Sequence, residues 1–175
     1  AQALDVDAEA QTLLTALAAQ VSVLSLAAGY RRGGAHQQER FYRNLLIDGQ
    51  PLGGWLGDVI PVFDWMPVEV QLATLDALAG RSPGVFDDQR VPLCVCPECG
   101  DLGCGAVSTL VKVHAPWVDW LDLGWQASWG DGWSPLKRPG PDPKPPLGPF
   151  RFAHEPYLSV LDELRTGLGG RGRRR

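Results

Sequence analysis

The sequence is short of the features that most readily declare a function. No apolar run approaches the roughly 18 residues of a membrane-crossing helix, and the opening segment carries Asp5, Asp7 and Glu9 in place of a basic stretch before an apolar core. A membrane or secreted protein is therefore not expected, and a cytoplasmic one is. Histidine is scarce, with only His36, His114 and His154, and the three are scattered. No Gly-x-Gly-x-x-Gly follows a strand-like run, so a dinucleotide fold is not indicated. No Ser or Cys stands in a strand-turn-helix elbow, which argues against triad catalysis. Internal repeats are absent too.

What is present is the composition of an ordinary globular protein: 175 residues, 45% of them hydrophobic, 21% charged, and a net charge of -4. That length suits one domain, expected over residues 1–170, and buries enough surface to fold without covalent staples. The acidic balance makes specific nucleic-acid binding unexpected, since a duplex requires a clustered positive face. One segment opposes that trend: Arg171, Arg173, Arg174 and Arg175 form a basic tail, expected to be a solvated, disordered end.

Along the chain, Leu13, Leu14 and Leu17 have helical spacing within 8–18, Val21 and Val23 begin strand-like sequence, and 29–34 reads as a Gly-containing loop. Residues 39–47 alternate and end at Asp48-Gly49, predicting a strand and turn. Pro51 to Trp55 can start a short helix, and 58–65 an extended path. From Val68 to Leu78 the apolar residues recur every three or four positions, with Pro67 and Glu69 at the start and Gly80 at the end. Residues 91–96, 106–113 and 117–125 read as a meander of strands. The stretch 128–149, rich in proline, reads as an irregular loop. Residues 150–152 read as a last strand and 155–165 as a last helix. The fold class expected is α+β, mainly an antiparallel sheet with a cysteine hairpin and two or three helices against one face.

All four cysteines, Cys94, Cys96, Cys99 and Cys104, fall within eleven consecutive positions. Cys-Pro-Glu-Cys-Gly has the form of a metal knuckle, in which a tight turn aims two thiolates and several amides at one ion. Gly100 can take the positive φ such a turn needs. Cys104 returns between Gly103 and Gly105, and Cys94 lies two residues before Cys96, on the same face if the strand continues. Zinc on these four thiolates is the expected cofactor, with His114 and His154 as rivals for the fourth place. Three other readings stay open: reduced structural thiols, a Cys99–Cys104 disulfide, and an iron–sulfur or redox role. Against an activated thiolate stand the absence of a helix after Cys96 and the charges of Glu98 and Asp101. Asp101 is expected to cap amides of the turn.

The run from Leu93 to Val107, the later Trp120-Leu121-Asp122-Leu123-Gly124-Trp125, and Gly148-Pro149-Phe150-Arg151-Phe152 resemble a group of uncharacterised bacterial proteins common in actinobacteria. Phe41-Tyr42-Arg43-Asn44-Leu45-Leu46-Ile47-Asp48-Gly49 is similar to theirs as well. Cys96, Cys99 and Cys104 match the group's Cys-Pro-x-Cys-Gly-Asp-Leu-Gly-Cys-Gly pattern. The resemblance implies no established activity, although some members carry an automatic oxidoreductase label.

Seven tryptophans, five of them between Trp117 and Trp133, fill a core or line a groove. The function expected is a metal-knuckle-stabilised binding or regulatory domain with a protein partner. The competing expectation is a thiol-dependent oxidoreductase cycling Cys96 and Cys99. A third, suggested by charge alone, is a neutralising partner for a toxin.

Overall fold

A computed structural model describes residues 20–127, 132–144 and 146–168. Two sheets and three helices make up these residues. The larger sheet contains β1 (Val21–Ser22), β5 (Ile60–Pro61), β6 (Val91–Val95), β7 (Ala106–His114), β8 (Trp117–Gln126), β9 (Trp133–Pro135) and β10 (Phe150–Ala153), in the order β1-β10-β8-β7-β6-β5 with β9 beside β8. The smaller one is the hairpin β2 (Leu24–Arg31) and β3 (Arg40–Ile47), extended by β4 (Gln50–Pro51). The helices are α1 (Leu52–Leu56), α2 (Val68–Leu78) and α3 (His154–Gly167).

The α+β expectation holds, with one departure. All strand pairs are antiparallel except β1 with β10, which run parallel with Val21 opposite Arg151. A two-residue strand carries no periodicity, so its direction cannot be read from sequence. Strand β2 corrects the loop expected at 29–34, since it continues to Arg31. Gly29 is there for proximity: a Cβ on it would sit 2.3 Å from Cε2 of Tyr42, the residue opposite it in the hairpin. The irregular loop expected at 128–149 is corrected in part by β9, which pairs with Gly124–Gln126. The helix expected at 8–18 and the basic tail lie outside the described residues.

Helix α2 spans the predicted residues because its ends are specified. Pro67 precedes it, Glu69 lies in its first turn, and the chain leaves through Gly80 at φ 70. Gly80 N–H donates to Ala77 O and Arg81 N–H to Asp76 O, the paired bonds of a glycine-terminated helix. The buried face of α2 offers Leu75 and Leu78 to β6, while α3 offers Tyr157, Leu161 and Leu164 to β8, β10 and β2.

Trp120 is the centre of this core. It is fully buried, 5.1 Å from Phe152 and 6.2 Å from Tyr157 between ring centroids, both near edge-on. Its indole N–H donates to Tyr157 Oη at 3.0 Å, and that hydroxyl donates to Leu78 O, also at 3.0 Å, at the end of α2. One strand and two helices are thus joined by a relay with no unsatisfied member.

A candidate functional site at the cysteine loop

Strands β6 and β7 pair antiparallel, Val95 opposite Ala106, and residues 96–105 connect them. The loop is shaped by its own backbone. Gly100 N–H donates to Cys96 O at 2.9 Å with Gly100 at φ 58, and Asp101 Oδ1 accepts from Gly103 N–H at 2.8 Å at the start of a 3-10 turn over Leu102–Cys104. Asp101 therefore caps an amide, as expected. Gly105, at φ 96, closes the turn beneath Trp125, whose ring leaves no room for a Cβ.

The four thiols occupy different environments, and all are unpaired. Cys94 is fully buried among the core residues, and burial pushes its thiol well above the ordinary value. Cys96 is half-buried; Cys99 and Cys104 are exposed. The strand ends at Val95, so the two-residue argument that put Cys94 and Cys96 on one face does not apply: Cys96 already belongs to the turn. A bulge at Leu93, between Pro92 and Cys94, further breaks the alternation. Among the described residues no group of three His, Cys, Asp or Glu side chains is placed to hold a metal ion. The rival histidines are engaged elsewhere. His114 Nε2 lies 2.8 Å from Asp119 Oδ2, and His154 Nδ1 lies 3.3 Å from Glu155 Oε1.

What the sequence did not reveal is how this loop is held. Arg40, at the start of β3, donates from Nε to Pro97 O at 2.7 Å and from Nη2 to Glu98 O at 3.1 Å. Arg31, at the end of β2, reaches Glu98 Oε1 at 2.6 Å and forms a fork with both oxygens of Asp58 at 2.8 and 2.7 Å. Gln38 N–H donates to the other oxygen of Glu98 at 3.0 Å. Desolvation would raise the Glu98 carboxyl, but the Arg31 and Gln38 bonds outweigh it and hold it below the usual carboxylate range; Arg31 does the same for Asp58. The variable residue of Cys-Pro-x-Cys is thus the loop's anchor to the hairpin. Its partners are 58 and more positions away, too far for any local pattern to indicate.

Beside the anchor stands a patch of exposed rings. Tyr30, Phe41 and Trp65 are 54%, 59% and 37% exposed. Tyr30 and Phe41 lie 4.8 Å apart, Trp65 donates from Nε1 to Phe41 O at 3.2 Å, and the Arg40 guanidinium lies 4.2 Å from the centroid of Trp65. The tryptophans divide between two environments: Trp120 fills the core, while Trp65 and Trp133 are open to solvent.

Two other polar clusters are internal. Asp119 accepts both bonds of an Arg151 fork at 2.7 and 2.8 Å, and Arg151 and His114 hold its carboxyl below the usual range although burial opposes them. Arg90 is buried against Ser108, Asp122 O and the ring of Trp133, 4.5 Å from its centroid. No helix among the described residues is long and apolar enough to cross a membrane. No protein-family model, curated protein or solved structure matches the chain.

Proposed function

We propose that this protein is a binding domain that engages a protein partner through the face made by the β2–β3 hairpin and the cysteine loop. The observation that carries the reading is the Tyr30–Phe41–Trp65 patch with Arg40 fixed across it. Aromatic rings and arginine supply most of the energy at protein interfaces, and rings already held in place lose little freedom on binding. The arginine here is held by two loop carbonyls, so the loop's conformation determines where the guanidinium lies.

Within this reading the loop is a structural element, and zinc is its proposed ligand; the thiolates of Cys96, Cys99 and Cys104 would close on it from the separate positions they hold in this structure. Cys94 is the weakest member of the expected set because it lies in the core. The exposed, unpaired Cys99 and Cys104 favour a second reading, in which the loop's thiols cycle with a disulfide. The likeness to the bacterial group with this motif fits both.

Metal and free thiols measured together on untagged protein separate the two. One zinc per chain, with thiols protected until chelation, supports the structural loop; no metal, with reversible oxidation of Cys96 and Cys99, replaces it with redox chemistry. The binding face itself is tested by a photo-crosslinking residue at Phe41 and, separately, at Lys112. One defined partner captured from position 41 and lost on Trp65→Ala is the expected result. Equal capture from both positions would remove the face from the proposal.

A further inference from the structure

A cleft of about 370 Å³ lies between elements of the two sheets, away from the cysteine loop. Its inner surface is apolar, formed by buried Ile47 and Phe150, and one side is the indole of Trp55, stacked on Phe150 at 5.9 Å and 6° between planes. That volume is within the range of small-molecule sites, which combine an apolar body with few polar groups.

Three polar side chains of this cleft, Arg138, Gln20 and Gln50, are open to solvent and so available to a ligand. Arg138 makes no ion pair or hydrogen bond with any described residue, and its guanidinium rests 5.8 Å from the Phe150 centroid. Ser22 lines the cleft, and its hydroxyl makes no hydrogen bond with a described residue. The carboxamides of Gln20 and Gln50 are likewise unengaged. The one carboxylate, Asp48, is committed locally: its Oδ1 accepts from Val23 N–H at 2.8 Å while its own N–H donates to Val23 O at 2.9 Å. It therefore braces the turn after β3 while keeping its charge, and Arg138 pairs with no carboxylate among the described residues.

A guanidinium over an apolar floor recognises a planar oxyanion best because its fork matches two oxygens at once. The protein's net charge of -4 opposes an anion at long range, but screening limits that repulsion to about 8 Å at physiological salt, so what decides is whether a ligand's carboxylate lies on Arg138, away from Asp48. We propose that this cleft binds a small aromatic carboxylate, its carboxylate on Arg138 and its ring against Trp55. The site is separate from the face assigned to a protein partner, and neither depends on the other.

The test is calorimetric titration of the full chain with benzoate, benzyl alcohol and inorganic phosphate. Saturable binding of benzoate is expected, with benzyl alcohol and phosphate each at least about tenfold weaker. Arg138→Gln should weaken benzoate by about tenfold or more, and Ser22→Ala by about threefold, while Lys112→Gln, which removes the same charge elsewhere, leaves it unchanged. Backbone amide spectra of each variant verify that the fold is intact. No saturable binding below about 10 mM overturns the site. Benzyl alcohol binding as tightly as benzoate, or no change with Arg138→Gln, overturns the carboxylate; phosphate binding as tightly overturns the aromatic part.

Discussion

The Trp120 core and the cysteine loop are both held together by side chains far apart in sequence, yet by opposite means. Around Trp120 the energy comes from buried apolar area, and its polar atoms are satisfied inside: indole to Tyr157, Tyr157 to Leu78 O. Around the loop, guanidinium groups grip carbonyls and carboxylates at the surface, with Asp58 and Glu98 largely open to water. Exposed ion pairs of this kind contribute little to global stability and are screened by salt. The comparison assigns the two regions different work. One keeps the protein folded, whereas the other sets the position of a loop and a patch of rings at small energetic cost, which suits a surface that must respond to a ligand or partner.

That contrast is broken most directly at Trp120. Trp120→Ala should cost about 4 kcal/mol in urea unfolding, since it removes the largest buried side chain and leaves Tyr157 without its donor. Next comes Arg151→Ala, which strands a buried carboxylate at Asp119 and should cost about 3 kcal/mol. The sign with pH follows. Asp119 has a folded pKa below its unfolded one, so its contribution is full above about pH 4 and is lost as pH falls through the lower folded value. The stability gap between wild type and Asp119→Asn, measured by urea midpoints at pH 7 and 3, should therefore narrow on acidification. Tyr157→Phe should cost about 1–2 kcal/mol by leaving Leu78 O and the Trp120 N–H unpaired. Arg40→Ala should have the smallest effect, under about 1 kcal/mol globally, yet speed thiol labelling of Cys96 and Cys99 several-fold by releasing Pro97 and Glu98. If Arg40→Ala unfolds the protein as readily as Trp120→Ala, the division between the two regions is wrong.

The same division explains what could be read from the sequence. Helix α2, with its proline, periodic leucines and terminal glycine, was legible to the residue, and the meander β6–β7–β8 to within one residue at the end of each strand, because period and punctuation are local. Strand β2 was cut short because Gly29 signals a loop unless Tyr42 is known to cover it. Strand β9 was hidden among prolines and depends on its neighbour β8. At the candidate site, Asp101 and Gly100 were read correctly from the turn chemistry. The separate fate of Cys94 was not, because it follows from where a strand ends and where a bulge falls. Arg31, Arg40 and Arg138 carried no signal at all; an arginine's partner is set by tertiary structure.

Arg43 gives the chain a timetable. Its guanidinium pairs with Asp64 at 2.8 Å and caps the end of α3 through Leu164 O at 2.8 Å, across 121 positions. Strand β1 likewise finds its only described neighbour in β10. On a ribosome, where the N-terminal part emerges first, the hairpin and the opening strand must wait for the last described helix before they can dock. Until then Leu24, Leu45 and Ile47, all buried in the finished molecule, have no complete core to enter, and residues His154–Gly167 decide when the hairpin made before them can settle.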